Sequence, residues 1–169
     1  MNSLTLQSLA SSSDDELFKL LGEELGRRLT APRNSPEFLH QLQQLPVGLR
    51  AMAATYELDV SLALDDLGWH FGNWHDEALA DETAHRLEVL DAPELARIFR
   101  EALRLALPYW SELGGKNWTQ WYPGSPLEQA LAPWNEQAWK ILKQHKKGIF
   151  HYWVTYARTN PNGISLAGD

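Results

Sequence analysis

Seven carboxylates in one stretch are the residues whose type and spacing most invite chemistry: Asp65, Asp66, Asp76, Glu77, Asp81, Glu82 and Glu88. Two carboxylates facing one bond can serve general acid–base catalysis, as in glycoside hydrolysis. Adjacent Asp65 and Asp66 on a helix would point about 100° apart and could not share a site unaided. Acids from separate segments can still converge, so a small hydrolase using carboxylates near 65–85 is the alternative reading. The other chemistry is electrostatic. On a helix through 76–90, Glu77, Asp81 and Glu88 fall near one line, with Asp76 and Glu82 beside it. Such a row can present carboxylates to a basic protein surface. It is also cheap to keep as a plain solvated face. Like charges at i, i+4 cost roughly 0.2–0.5 kcal/mol, and first-turn acids recover roughly 0.3–1 kcal/mol each from the helix dipole.

Charge is unevenly distributed along the chain. Residues 55–94 hold eleven acids and one base, whereas residues 95–158 hold four acids and nine bases. The acidic segment repels phosphates and attracts basic partners, so direct nucleic-acid binding is not expected.

The remaining reactive types fit known site patterns poorly. His70 and His75 flank an aromatic turn and His85 follows, but neither an i, i+4 histidine pair nor an HExxH motif occurs. No metal or other cofactor is expected. The chain has no cysteine, which removes thiolate zinc sites, disulfides and a cysteine nucleophile, and fits a cytoplasmic protein. There is no GxSxG elbow and no phosphate-binding glycine loop. Of the 8 tryptophans, Trp118 and Trp121, with Tyr122, sit among Gly and Pro and could contact a ligand or partner. Base stacking would call for a basic groove, and Lys116 is the only cation in that loop. Lys140, Lys143 and Lys147 read as a solvated face near a helix C-terminus.

The elements that must carry these residues are helices. Ser13-Asp14-Asp15-Glu16 is a capping box ahead of Leu17, Leu20, Leu21, Leu25 and Leu29 at helical spacing. Ser35-Pro36-Glu37 and Asp91-Ala92-Pro93-Glu94 each join a helix start to a first-turn proline. Leu49, Met52, Tyr56, Val60, Ala63 and Leu67 predict a longer helix, interrupted by Gly68 and Gly72. Residues 109–126, with Gly114-Gly115 and Pro123-Gly124, predict a long aromatic loop. Gly148 is expected to break the helix before it, and Ile149 to Arg158 reads as a buried final helix. Residues 1–12 and the tail from Asn160 are expected to be loose. The N-terminus lacks a basic, apolar leader, and no run is apolar enough to span a membrane. At 169 residues and 44% hydrophobic content, one all-α domain over 1–169 is expected.

Three stretches carry a resemblance over about residues 46–164. Leu67-Gly68-Trp69-His70-Phe71-Gly72-Asn73 is a helix running into a Gly- and aromatic-rich segment ending in Asn. Glu77 to Ala106 is a helix pair joined at Leu90-Asp91-Ala92-Pro93. Tyr156-Ala157-Arg158-Thr159-Asn160-Pro161 closes the pattern. In this order they resemble a family of bacterial helical proteins that includes a DNA mimic. The resemblance implies an acidic module that binds a basic protein, as a DNA mimic or as an inhibitor of a nucleic-acid-binding protein or toxin.

Overall fold

The computed structural model describes residues 4–33, 35–146 and 148–164. The fold is all-α, with no strand among these residues. The helices are α1 (Leu6–Ser11), α2 (Asp14–Arg28), α3 (Pro36–Gln43), α4 (Val47–Leu64), α5 (Leu67–Asn73) and α6 (Glu77–Val89). They continue with α7 (Pro93–Ala106), α8 (Trp110–Leu113), α9 (Trp118–Trp121), α10 (Pro126–Leu142) and α11 (Phe150–Thr159). No described helix is long and apolar enough to cross a membrane.

Helix α4 is the central element, packed by α2, α3, α5, α6 and α11. Its sequence shows why: Ala51, Met52, Ala53, Ala54, Leu58 and Leu62 are all buried, and an interior helix must be apolar on several sides. The pair α6–α7 and α10 complete the other side. There α7 is sharply two-faced. Leu95, Ile98, Phe99, Ala102 and Ala106 are buried, while Arg97, Arg100 and Arg104 are exposed. The Ser13 and Ser35 caps form as their sequence implies, accepting from the amides of Glu16 and Phe38.

Helix α4 ends at Leu64, and the Gly- and aromatic-rich segment expected to interrupt it is a helix of its own, α5. Asp66 starts it by accepting from the Trp69 amide at 2.9 Å. The glycines are there for close approach, not for a turn. A Cβ on Gly68 would overlap the Tyr122 ring, and one on Gly72 would lie 2.5 Å from the Trp118 ring.

The long aromatic connection over residues 109–126 carries two single-turn helices, α8 and α9, after a 3₁₀ turn at Leu107–Tyr109. Leu113 and Tyr122 are fully buried.

The expectation of loose ends changes as well. Thr5 and Ser8 form a capping box for α1, and Leu4 and Leu9 are buried. Arg158 of α11 reaches the Ser12 carbonyl at 2.8 Å and the Asp14 carboxylate at 2.7 Å, which fastens the N-terminal turn to the last helix. Beyond Asn160, a 3₁₀ turn at Pro161–Ile164 buries Ile164. Residues 1–3 and 165–169 lie outside the described residues, as does Lys147.

Candidate functional site

The seven acids fall into two groups once their partners are identified. Asp66, Asp76, Glu82 and Glu88 are occupied within the fold. Asp66 caps α5 and accepts the Tyr122 hydroxyl at 3.0 Å on both oxygens. Burial pushes its pKa up, against the lowering effect of those hydrogen bonds. Asp76 caps α6 by accepting from the Leu79 amide at 3.0 Å. Glu82 lies between Arg50 of α4 and Arg86 of its own helix, 2.8 Å from Arg50 Nη2 and 2.5 Å from Arg86 Nε. Burial alone would raise its pKa, but the two guanidinium groups more than offset that and hold it below the usual range. Glu88 meets Arg100 of α7 at 2.7 Å.

Glu77, Asp81 and Asp65 are the outward group. All three are exposed. Asp81 has His85 nearby, 3.6 Å away and itself exposed. The exposed face of α6 thus reads Glu77, Asp81, His85, Glu88, a line of about 16 Å at 1.5 Å per residue. It rests on a firm base, because Leu79, Ala80, Thr83, Ala84 and Leu87 are buried against α4 and α7. The Thr83 hydroxyl also ties α6 to the Ala54 carbonyl of α4 at 2.8 Å. Asp65 stands apart, at the α4–α5 corner. Other acids of the segment are internal too. Glu57 pairs with Arg33 at 2.8 Å, and Asp59 accepts from the Ile149 amide at 2.6 Å. Three arginines from elsewhere, Arg33, Arg50 and Arg100, therefore balance part of the segment's negative charge, and fewer carboxylates face outward than composition suggests.

The aromatic candidates also make contacts within the fold. Trp118 is half-buried, seated on Gly72 and edge-on to Trp69 with ring centroids 4.8 Å apart. Trp121 is half-buried against Tyr109. Tyr122 is fully buried and unavailable to a ligand. Trp118 and Tyr122 thus seat α9 against α5.

His70, His75 and His85 are dispersed. Buried His70 lies 3.0 Å from the Ser61 hydroxyl, and burial depresses its pKa to about 3, partly offset by a hydrogen bond to the Glu57 backbone. His75 stacks on Trp110 and donates to its carbonyl at 2.6 Å. His85 is exposed on α6. Among the described residues no three His, Asp or Glu side chains converge as metal ligands. The cavity lined by Glu57, His70, Trp74 and Thr83 has about 10 Å³, enough for one water and too small for a substrate. Comparison with known protein families, curated proteins and solved structures finds no match for the chain.

Proposed function

We propose that the chain is a protein-binding module that offers the carboxylate line of α6 to a basic protein surface, occupying a site built for nucleic-acid phosphates. The observation that carries this reading is the fate of the acids. Those needed to cap and brace the fold are engaged, while Glu77 and Asp81 are left exposed on a helix backed by the core. A braced helix presents its charges without first having to order them, which favours association. The resemblance to the DNA-mimic family points to the same class of partner. Carboxylates on this face speed encounter with a basic surface and make the rate salt-dependent.

The test compares the parent with a Glu77→Gln, Asp81→Asn, Glu88→Gln variant, each immobilised and exposed to cell extract at low and at high salt. Basic proteins should be held by the parent, released by salt or by competing duplex DNA, and largely lost from the variant. The protein itself should not shift duplex DNA. Retention of the same proteins by both forms, insensitive to salt, would remove the α6 face from the mechanism.

A further inference from the structure

A second concave surface lies away from α6, between α2, α3 and α4. It has about 350 Å³ and is lined by Phe18, Gly22, Leu25, Gly26, Arg33 and Tyr56, among others. That is the low end of the range of small-molecule sites, roughly 300–1,000 Å³.

Two features set this groove apart from an accidental dent. The first is its floor. Gly22 and Gly26 lie one turn apart in the interior of α2, where glycine weakens a helix. Gly48, Gly68 and Gly72, the other glycines inside helices, each have a side chain seated where a Cβ would be. At Gly22 and Gly26 a Cβ would meet nothing within 4 Å. Nothing in the packing of the described residues explains them, whereas a molecule lying flat along α2 would.

The second feature is Arg33. Its guanidinium lies 4.5 Å from the Tyr56 ring centroid and 5.7 Å from that of Phe38, at the groove wall. Nε is 2.8 Å from Glu57, but Nη1 is buried without an acceptor among the described residues. A withdrawn guanidinium N–H calls for an oxygen. The charge of the acceptor is bounded by its neighbours. Glu57 already balances one charge on Arg33, so a dianionic phosphate would be repelled, whereas a single carboxylate can approach the 36% of the side chain that stays exposed. Lys19 on the same wall adds a further positive charge, shared with Glu23 at 3.8 Å.

We propose that this groove binds a small amphipathic monocarboxylate, with its apolar body along Gly22 and Gly26 and its carboxylate at Arg33. The class includes medium-chain fatty acids and aryl carboxylates. The inference is independent of the α6 reading.

The experiment titrates decanoate into the full-length protein, read by calorimetry and by the backbone amide shifts of Gly22 and Gly26. Decylamine, with the same chain and the opposite charge, is the control. Decanoate should saturate one site and move both glycine amides, and decylamine should bind at least about tenfold more weakly, the worth of a charge-assisted hydrogen bond. Gly26→Leu fills the groove from a position with open space, so it should keep the helix by circular dichroism and lose decanoate by about tenfold or more. Arg33→Lys should retain part of the preference for the acid, and Arg33→Met should abolish it. No saturable binding, or binding unchanged in Gly26→Leu, would overturn the site. Equal affinity for decanoate and decylamine would mean that Nη1 finds its acceptor in a water of the small Glu57–His70 cavity, and would overturn the carboxylate assignment. Glycine shifts that move with protein concentration alone would assign the groove to a second copy instead.

Discussion

Four glycines inside helices allow one substitution to be tested with opposite signs. Alanine at Gly22 or Gly26 adds a methyl where nothing lies within 4 Å. It gains the helix preference of alanine over glycine, about 0.5–1 kcal/mol per site. Because the two sites do not touch each other's partners, the double variant should gain about 1–2 kcal/mol. For a chain of 169 residues, each kcal/mol moves the melting temperature by roughly 2–4 °C. Gly68→Ala meets the opposite situation. Its methyl would overlap the Tyr122 ring, whose hydroxyl is anchored on Asp66. Overpacking costs about 1–3 kcal/mol, and displacing the phenol from its buried acceptor adds a cost on the order of 1 kcal/mol, so the helix gain is exceeded. Gly72→Ala presses on Trp118, which is half-buried and can shift, so its loss should be the smaller of the two. Thermal unfolding by circular dichroism, with urea titration to confirm an unchanged slope, measures all four. A drop in stability for Gly22→Ala or Gly26→Ala, or a gain for Gly68→Ala, would refute the assignment of open and filled helix faces.

Two further outcomes concern charge. His70 is held neutral in the fold with a pKa of about 3, against about 6.5 when unfolded. The unfolded chain therefore takes up a proton first, and stability falls as pH drops from about 6.5 toward 3, by up to about 1.4 kcal/mol per pH unit. His70→Gln should flatten that part of the stability–pH curve relative to the parent, and parallel curves would refute it. Glu82→Gln leaves Arg50 and Arg86 facing each other without their carboxylate and should cost on the order of 1–3 kcal/mol in urea unfolding. Asp81→Asn on the exposed side of the same helix should change stability by less than about 0.5 kcal/mol, and equal effects would refute the division of the acids.

What the sequence reveals here depends on how far away the deciding partner lies. Ser13 and Ser35 announce their helices because the capped amides lie within a few residues, and Pro93 because it stands in the first turn of its own helix. The final helix is readable from its own apolar face. Gly68 and Gly72 are different. The rings that fill their faces, Tyr122 and Trp118, are distant in sequence, so the glycines read as breaks when they are contacts. The same distance hides the 109–126 segment: its Gly and Pro suggest a loop, and its fold comes from rings that dock on α5. One local signal was available. An aspartate directly before an apolar run is a cap, and both Asp66 and Asp76 stand in that position.

The acids carry the same lesson into function. Composition counts Glu82 and Glu77 alike, yet Arg50 and Arg86 consume the first and leave the second exposed. The arginines of α7 add to this, because Arg100 reaches Glu88 across the α6–α7 pair. The separation of charge along the chain is thus partly cancelled in space, and composition overstates the field a partner meets. Net charge governs long-range attraction, but the charges that desolvate against a basic surface are those without an internal partner. Among the described residues Glu77 meets that condition, Asp81 nearly so with only exposed His85 beside it, and Glu88 meets it only by leaving Arg100. Binding on this face should therefore show a shallower salt dependence than a count of carboxylates would imply.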